Sequence, residues 1–317
     1  MPYKLEEDFQ YSILELFYLT SHQDLQLRNA WCTNNIKSGI QYHWGDFVDI
    51  ISIRSILEKG RNKENFRKKF NVTIRWFLDN YIIEPYPLDD NPSHTKYIIA
   101  DVGKRHYEHK TLLYIIEYPS QIIEDFKNSI VMIYDSENGN AGSGFIYKDN
   151  YVVTAYHVLE GISSLAMKLE NGEQLRLVSK IVPKEPKKYD VAIIEIEPIE
   201  SYSKSFHLEF NTQILQEVLI MGYPRIPQTR ESYLVYNKGE ISAYVDNFNG
   251  VTGITLTTFL RGGNSGGPVI DKFGSVVGIV SEYLFEQAHG EEAANESLGI
   301  SFIVPSSDIN KLLNGEL

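Results

Sequence analysis

The sequence predicts a two-domain α+β protein, with a mainly helical domain over residues 1–127 and an all-β domain over residues 128–317. The length of 317 residues fits about two domains of ordinary size. Before residue 127, apolar side chains recur at the spacing of a helix face, as at Ile50, Ile53 and Leu57. After it, short apolar runs alternate with Gly, Asn and Asp turns, which is the pattern of an antiparallel sandwich or barrel.

The composition excludes several classes of protein. Hydrophobic residues make up 43% of the chain and charged residues 23%, which are values of a folded protein rather than a disordered one. The net charge of -12 argues against a main role in coating nucleic acid or an anionic membrane. No apolar stretch is long enough for a transmembrane helix, the N-terminus is acidic where a signal peptide is basic, and Cys32 has no cysteine partner. We therefore expect a cytoplasmic protein without internal disulfides.

A helix–turn–helix is predicted within the N-terminal domain. The segment NFRKKFNVTIRWFLDNYIIEP resembles the corresponding part of winged-helix domains. The resemblance implies that Phe66 and Phe70 are core positions of one helix. It further implies that Asn71 and Val72 form the turn and that Thr73 caps the next helix.

The remaining parts of a winged helix are also predicted. Residues 81–84 and 97–99 would form the wing strands, and YIIADVGKRHYEH is similar to the strand-then-helix ending of these domains, with Ala100 where they often have Thr. A basic stretch lies beside the expected second helix. Its members are Lys59, Arg61, Lys63, Arg67, Lys68, Lys69 and Arg75. Positive side chains of this kind can bind the phosphates of nucleic acid, but a solvated helix face is the simpler interpretation. We expect this domain to interact with another protein, or with the β domain of the same chain, rather than with nucleic acid.

In the β domain, the glycine-rich segment RGGNSGGP around Ser265 carries the strongest chemical signal. Two glycines on each side of a serine let the backbone approach a bound group closely and take conformations that a Cβ forbids. A nucleophile needs this freedom if neighbouring N–H groups are to converge on a developing oxyanion. Taken alone, the segment could be an ordinary turn.

Two further segments make catalysis the better interpretation. VTAYHV places His157 at the end of a predicted strand, and YDVAII places Asp190 just before a buried strand. Either could be merely structural, and Asp190 could be a surface residue, although Asp149 is a poor rival because it lies in a turn. The order His, Asp, Ser along the chain is that of chymotrypsin-type enzymes.

Residues 128–308 resemble the trypsin-like (chymotrypsin-fold) serine proteases, most closely those of the HtrA/Deg type. The matching segments occur in the same order as in that family. They are GSGFIYKDNYVVTAYHV, YDVAIIEI, LIMGYP, GGNSGGPVID, VVGIVSE and GISFIVPS. The resemblance implies a double-barrel domain, in which two six-stranded antiparallel β-barrels pack together with the active site between them.

The resemblance also implies the roles of individual residues. Ser265 would be the nucleophile, His157 the general base and then acid, and Asp190 the group that orients and stabilises the imidazolium. The N–H groups of Gly263 and Ser265 would form the oxyanion hole. Ser281 would lie on the strand that pairs with the substrate backbone. No metal or other cofactor is expected.

Two positions bear on activation and specificity. Asn264 stands where digestive zymogens have an Asp that pairs with a newly cut N-terminus, and an amide cannot form that ion pair. Phe259, six residues before the nucleophile, is not acidic, so we expect no preference for Arg or Lys. With Leu260 and Tyr283 it predicts a small or apolar pocket. Because few residues follow residue 305, we expect the PDZ domain that follows the protease domain in many HtrA enzymes to be absent.

Two functions of different classes remain open. The first is a serine endopeptidase acting on protein or peptide substrates, with an N-terminal regulatory or targeting domain, and possible roles in bacterial stress or defence. The second is a catalytically silent adaptor or transcriptional regulator that uses a protease fold for binding. Intact His157, Asp190, Ser265 and their glycines favour the first, because a binding protein has no physical need for all of them.

Overall fold

A computed structural model gives the fold of the chain in two compact units, Met1–Ile116 and Glu117–Leu317. The residues that it describes are 14, 48–49, 63–85, 96–109, 114, 118–148, 150–199, 204–246, 250–260, 262–281 and 301–317.

The described part of the first unit combines a small sheet with two helices. The strands are β1 (Val48–Asp49), β2 (Ile83–Pro85) and β3 (Lys96–Ile99), and the helices are α1 (Lys63–Asp79) and α2 (Asp101–His109). The sheet order is β1-β3-β2, with both pairs antiparallel. Both predicted wing strands are therefore present and paired, and a helix follows the second of them. The assignment to the winged-helix class stays a prediction.

The predicted helix–turn–helix is wrong, because α1 runs without a break through residues 63–79. The segment contains neither Gly nor Pro, and Phe70, Ile74 and Phe77 form one buried stripe at helical spacing. Thr73, predicted as a helix cap, is fully buried in the middle of this helix. A continuous apolar face thus outweighs the turn tendency of Asn71. The side chain of Phe66 lies outside the described residues.

The second unit begins with an antiparallel sheet whose strand order is β7-β4-β5-β6-β9-β8. Its strands are β4 (Ile130–Asp135), β5 (Gly139–Tyr147), β6 (Tyr151–Thr154), β7 (Leu165–Leu169), β8 (Leu177–Ile181) and β9 (Ala192–Ile196). The predicted turn at residues 148–150 joins β5 to β6, which pair from Gly144↔Thr154 to Tyr147↔Tyr151.

The second sheet closes on itself. Its strands are β10 (His207–Leu208), β11 (Glu217–Gly222), β12 (Val235–Asp246), β13 (Thr252–Leu256), β14 (Pro268–Ile270), β15 (Ser275–Val280) and β16 (Ser301–Pro305). The order is β10-β15-β14-β11-β12-β13-β16, and an added β15–β16 pairing closes six of the strands into a barrel. The seventh, β10, pairs with β15 in parallel, so this sheet has one strand more than predicted. The helix Ser306–Leu313 (α6) follows β16.

One short helix ahead of the first sheet belongs to its core. Helix α3 (Ser120–Phe126) ends on Phe126, whose ring stacks on Phe206 at a centroid distance of 4.1 Å. The ring of Phe206 also meets Phe145 of β5 edge to face at 5.2 Å. Aromatic pairs of this kind bury large apolar areas. The helix therefore packs with the β part, although we predicted that the β domain begins after residue 127. The division into a regulatory domain over residues 1–127 and a protease domain over residues 128–317 stays a prediction.

A buried carboxylate fixes the end of β4. Asp135 is 5% exposed, and its two oxygens accept hydrogen bonds from the backbone N–H groups of Glu137 and Ser163 and from the side-chain amide of Asn138. These donors favour the ionised form and lower the pKa of Asp135 to about 2.

We expect Asp135→Asn to lower the melting temperature at neutral pH, because the new amide NH2 group would face donors instead of accepting from them. The lowered pKa means that the stabilising contribution of Asp135 is complete above the unfolded-state value of about 4 and is lost as the pH falls toward 2. The difference in melting temperature between wild type and variant should therefore shrink over that range, as measured by circular dichroism. Asp246→Asn, at an exposed carboxylate that accepts one bond from Thr252, is the matched control. A constant difference down to pH 2 would contradict the prediction.

Candidate active site

His157 lies at the end of the first sheet, as predicted from its sequence. Strand β6 ends at Thr154, and the one-turn helix α4 (Tyr156–Leu159) carries His157. The His157 side chain is 19% exposed, so the imidazole is partly accessible from solvent. A histidine in this position can exchange protons with a bound molecule.

Asp190 contacts this histidine through hydrogen bonds. It follows the one-turn helix α5 (Pro186–Tyr189) in a left-handed backbone conformation with φ 46°, which Asp adopts more readily than most residues. Its side chain is completely buried. His157 Nδ1 lies 2.9 Å from Oδ2 and 3.0 Å from Oδ1, and the His157 backbone N–H donates to Oδ1 at 2.9 Å. The carboxylate therefore fixes both the backbone and the ring of His157.

Ser281 supplies a further hydrogen bond to this carboxylate. It directly follows β15, is completely buried, and donates from Oγ to Asp190 Oδ2. Its backbone N–H donates to Phe302 of β16 at 2.9 Å. We predicted a role for Ser281 in pairing with the substrate backbone, which stays a prediction. Its hydroxyl contact with Asp190 was missed, because the two residues are 91 positions apart and no local pattern joins them.

Ser265 lies in the glycine-rich turn that precedes β14. Its carbonyl accepts a hydrogen bond from Ser143 N–H of β5 at 2.9 Å. The next residue, Gly266, has φ +81°, and an added Cβ there would overlap Thr154 Oγ1 and the Ser143 carbonyl oxygen. The loop that carries Ser265 therefore lies against the end of β6, three residues from His157. The Ser265 loop thus lies against Thr154 and Ala155, which directly precede the helix that carries His157.

The backbone at Gly263 also has a conformation that requires glycine. Its φ is +100°, and an added Cβ would lie 2.5 Å from the Tyr223 carbonyl oxygen and 3.0 Å from Pro224 Cα. Asn264 follows it and is 2% exposed. The amide side chain of Asn264 is packed beside Gly222, where an added Cβ would come within 3.0 Å of Oδ1. Gly263 in the motif and Gly222 in β11 thus both allow close packing around Asn264.

The predicted specificity residues differ in their surroundings. Phe259 is 52% exposed, so a bound peptide could contact its ring. Leu260 is 4% exposed and packs in the core of the second barrel with Val218, Ile220 and other apolar side chains. Its direct contact with substrate stays a prediction. Tyr283 lies outside the described residues.

The described residues contain no group of His, Cys, Asp and Glu side chains arranged to hold a metal ion. Among them there is also no helix with the length and apolar character that crossing a membrane requires.

Comparison with known proteins relates the second unit to trypsin-like peptidases. Residues 142–279 match the family model of the trypsin-like peptidase domain. The chain is 33% identical over 146 residues to the uncharacterized protein y4bJ of Sinorhizobium fredii, covering 46% of this chain and 22% of that protein. It is 26% identical over 184 residues to the serine protease Do-like HtrA of Lactococcus lactis, covering 55% of this chain and 44% of that protein. A DegP-like probable periplasmic serine endoprotease of Marinomonas is 32% identical over 176 residues.

The chain therefore spans less than half the length of the first of these curated relatives. A solved serine endoprotease from Yersinia pestis aligns with a TM-score of 0.48 and 20% identity, over 63% of this chain and 68% of that one. The family match and the HtrA-type relatives confirm the resemblance to HtrA-like serine proteases, and with it the mostly β, chymotrypsin-like fold of the second unit.

We expect Gly266→Ala to lower the free energy of unfolding by more than about 3 kcal/mol, because the new Cβ would overlap two atoms of the first sheet in addition to requiring a positive φ. Gly172→Ala is the matched control: its φ is +89°, but nothing lies within 4 Å of the added Cβ. That variant should lose only about 1–2 kcal/mol. Urea unfolding of both proteins measures the difference, and equal losses would contradict the proposed close packing.

Proposed function

We propose that the chain is a serine endopeptidase, with its trypsin-like peptidase domain cleaving protein substrates through an acyl-enzyme. The observation that carries the proposal is the buried carboxylate of Asp190, which accepts hydrogen bonds from the His157 backbone and from Ser281 while lying 2.9 Å from His157 Nδ1. This contact orients the ring so that Nε2 is left for proton transfer. The Ser265 loop lies against Thr154 and Ala155, shortly before His157 in the chain.

In the proposed reaction, Ser265 Oγ attacks the carbonyl carbon of the peptide bond while His157 Nε2 accepts the hydroxyl proton. Negative charge develops on the carbonyl oxygen and is stabilised by the N–H groups of Gly263 and Ser265. His157 then protonates the leaving amine, and the C–N bond breaks to give an acyl-enzyme. A water molecule repeats the sequence, with His157 as base, and releases the acid product. Asp190 stabilises the imidazolium in both halves without taking the proton itself.

The proposed substrate is an extended segment of a protein. Ser281 would place its backbone alongside that segment, and Phe259, Leu260 and Tyr283 would shape a small or apolar pocket. The exposed ring of Phe259 supports this proposal. The absence of an acidic side chain at position 259 argues against selection for Arg or Lys.

The adaptor alternative is less well supported. Burying an ionised carboxylate costs free energy unless several donors compensate it. Asp190 is fully buried, and its described donors are the His157 backbone N–H and the Ser281 hydroxyl. A surface that only binds a partner has no use for this arrangement. Catalysis uses it directly, because an imidazolium forms beside the carboxylate in each half-reaction.

We propose that the first unit is a winged-helix-like regulatory or targeting module. The antiparallel wing pair and the helix that follows it support this assignment. Lys68 and Arg75 are exposed on α1, which suits contact with an acidic protein surface and less readily with nucleic acid. A cytoplasmic location and a role in bacterial stress or defence complete the proposal. The single cysteine of the chain is compatible with a reducing compartment.

We expect a fluorophosphonate probe to label the wild-type protein and to leave Ser265→Ala unlabelled, because only an activated serine reacts at a useful rate. Ser136→Ala removes an exposed hydroxyl that is bonded to Ser164, and it should be labelled like wild type. In-gel fluorescence and mass spectrometry of the labelled peptide measure the result. Labelling of neither wild type nor control would overturn the endopeptidase proposal.

We expect residues 117–317 to cleave a protein reporter such as casein faster than the full chain, if the first unit restrains the second in the absence of its partner. The cut lies between the two compact units, and a thermal melt shows whether the shortened protein is folded. Initial rates with both proteins at equal active-site concentration, set by probe labelling, give the comparison. Equal rates would contradict an inhibitory role and leave targeting as the role of the first unit.

A further inference from the structure

Ser143 has a buried hydroxyl that joins two loops of the second sheet. It belongs to β5 of the first sheet and is completely buried. Its Oγ donates to the Gly263 carbonyl oxygen at 2.7 Å and accepts from the Tyr223 backbone N–H at 2.8 Å. One side chain therefore holds the Ser265 loop to the segment that follows β11.

The backbone of Ser143 holds the same loop at a second point. Its N–H donates to the Ser265 carbonyl oxygen at 2.9 Å, and its carbonyl oxygen accepts from Thr154 Oγ1 at 2.7 Å. Ser143 thus contacts the carbonyls of Gly263 and Ser265, which flank Asn264. These two residues are the ones whose N–H groups form the proposed oxyanion hole.

Fixing these carbonyls fixes the two peptide units on either side of the Asn264–Ser265 peptide, whose own carbonyl accepts from Gly267 N–H at 2.9 Å. A peptide unit is planar and trans, so its C=O and N–H point to opposite sides. The Gly262 carbonyl accepts from Arg225 N–H at 2.9 Å, which directs the Gly263 N–H away from Arg225. The Gly263 carbonyl, held by Ser143, fixes the plane of the Gly263–Asn264 peptide, which lies between the two peptide units that carry the Gly263 and Ser265 N–H groups.

Such a restraint is needed because the loop is rich in glycine. Gly263 has φ +100° and no Cβ to limit rotation about its backbone bonds. Rotation of the preceding peptide would turn the Gly263 N–H out of the oxyanion hole, and rotation of the following peptide would displace the Asn264–Ser265 peptide that carries the second donor. A hydrogen bond from a fully buried hydroxyl on a β-strand resists that rotation, because breaking it leaves polar groups unsatisfied in the interior.

We propose that Ser143 is a positioning residue that holds the glycine-rich loop in the conformation of a formed oxyanion hole. The proposal rests on the proposed endopeptidase function and extends it. The restraint is uncharged, so it does not require an ion pair at Asn264 or a newly cut N-terminus. It acts through the loop, and Ser143 itself contacts no reacting atom.

The test compares Ser143→Ala with Ser129→Ala in the full-length protein. Ser129 is the matched control: it is also fully buried, its Oγ donates to the Lys204 carbonyl oxygen at 2.6 Å, and it accepts from the Lys204 N–H at 3.4 Å. Both variants lose one buried hydroxyl with both of its bonds. Measurements are kcat and KM on a peptide substrate, the inhibition constant of a peptide aldehyde, and the melting temperature.

We expect Ser143→Ala to lower kcat about ten- to a hundredfold with KM changed less than about twofold, somewhat below the effect of removing an oxyanion donor outright. The peptide aldehyde forms a tetrahedral adduct whose oxyanion occupies the same hole. Its inhibition constant should rise by a similar factor. Ser129→Ala should keep the wild-type kcat and inhibition constant at a similar loss of melting temperature.

Each other outcome overturns a different statement. Wild type without activity overturns the endopeptidase function itself. Active wild type with unchanged kcat in Ser143→Ala overturns the positioning role, and so does an equal loss of kcat in Ser129→Ala. If Ser143→Ala does not fold, Ser143→Cys gives the same test, since a thiol is a weaker donor of similar size. It should show the same loss of kcat at constant KM, and a wild-type kcat would overturn the proposal.

Discussion

The arrangement of the second unit depends on direct backbone contact between its two sheets. At Gly266 the loop before β14 approaches Thr154 and Ser143 so closely that no Cβ fits, and Ser143 N–H bonds the Ser265 carbonyl across the same boundary. The distance between the sheets at this point is therefore set by peptide groups together with the buried Thr154 hydroxyl, none of which titrates. His157 follows a strand of the first sheet and Ser265 precedes a strand of the second. The same close contact therefore restricts how far the two residues can move relative to each other.

The cost of burying the Asp190 carboxylate is compensated locally. The described donors are the backbone of His157 and the hydroxyl of Ser281, which come from the first sheet and the second barrel respectively. Folding of both sheets is thus required before the charge is stabilised. The same contacts that make the buried charge tolerable also orient the imidazole ring. Stability and the proposed chemistry use one set of hydrogen bonds, so changes to either partner affect both.

Sequence patterns predicted local features well and distant contacts poorly. Turn residues and apolar runs directly mark the strand end near His157, the start of β9 and the glycine turn around Ser265. These features could therefore be predicted from the sequence. The Ser281–Asp190 and Ser143–Gly263 bonds join residues 91 and 120 positions apart, and no local signal reports them. The turn predicted at Asn71 failed for the opposite reason: a weak local tendency yielded to the continuous buried face of α1. The burial of Leu260 in the barrel core was not predicted, because it depends on strands that are distant in the sequence.

Closure of the second barrel has a consequence for synthesis on the ribosome. Strand β16 completes the ring by pairing with both β13 and β15, and it begins 21 residues after β15 ends. A nascent chain that already contains His157, Asp190 and Ser265 therefore still lacks the strand to which the Ser281 backbone bonds. Translation order alone would therefore keep an unfinished chain from closing this barrel until residues 301–305 have emerged.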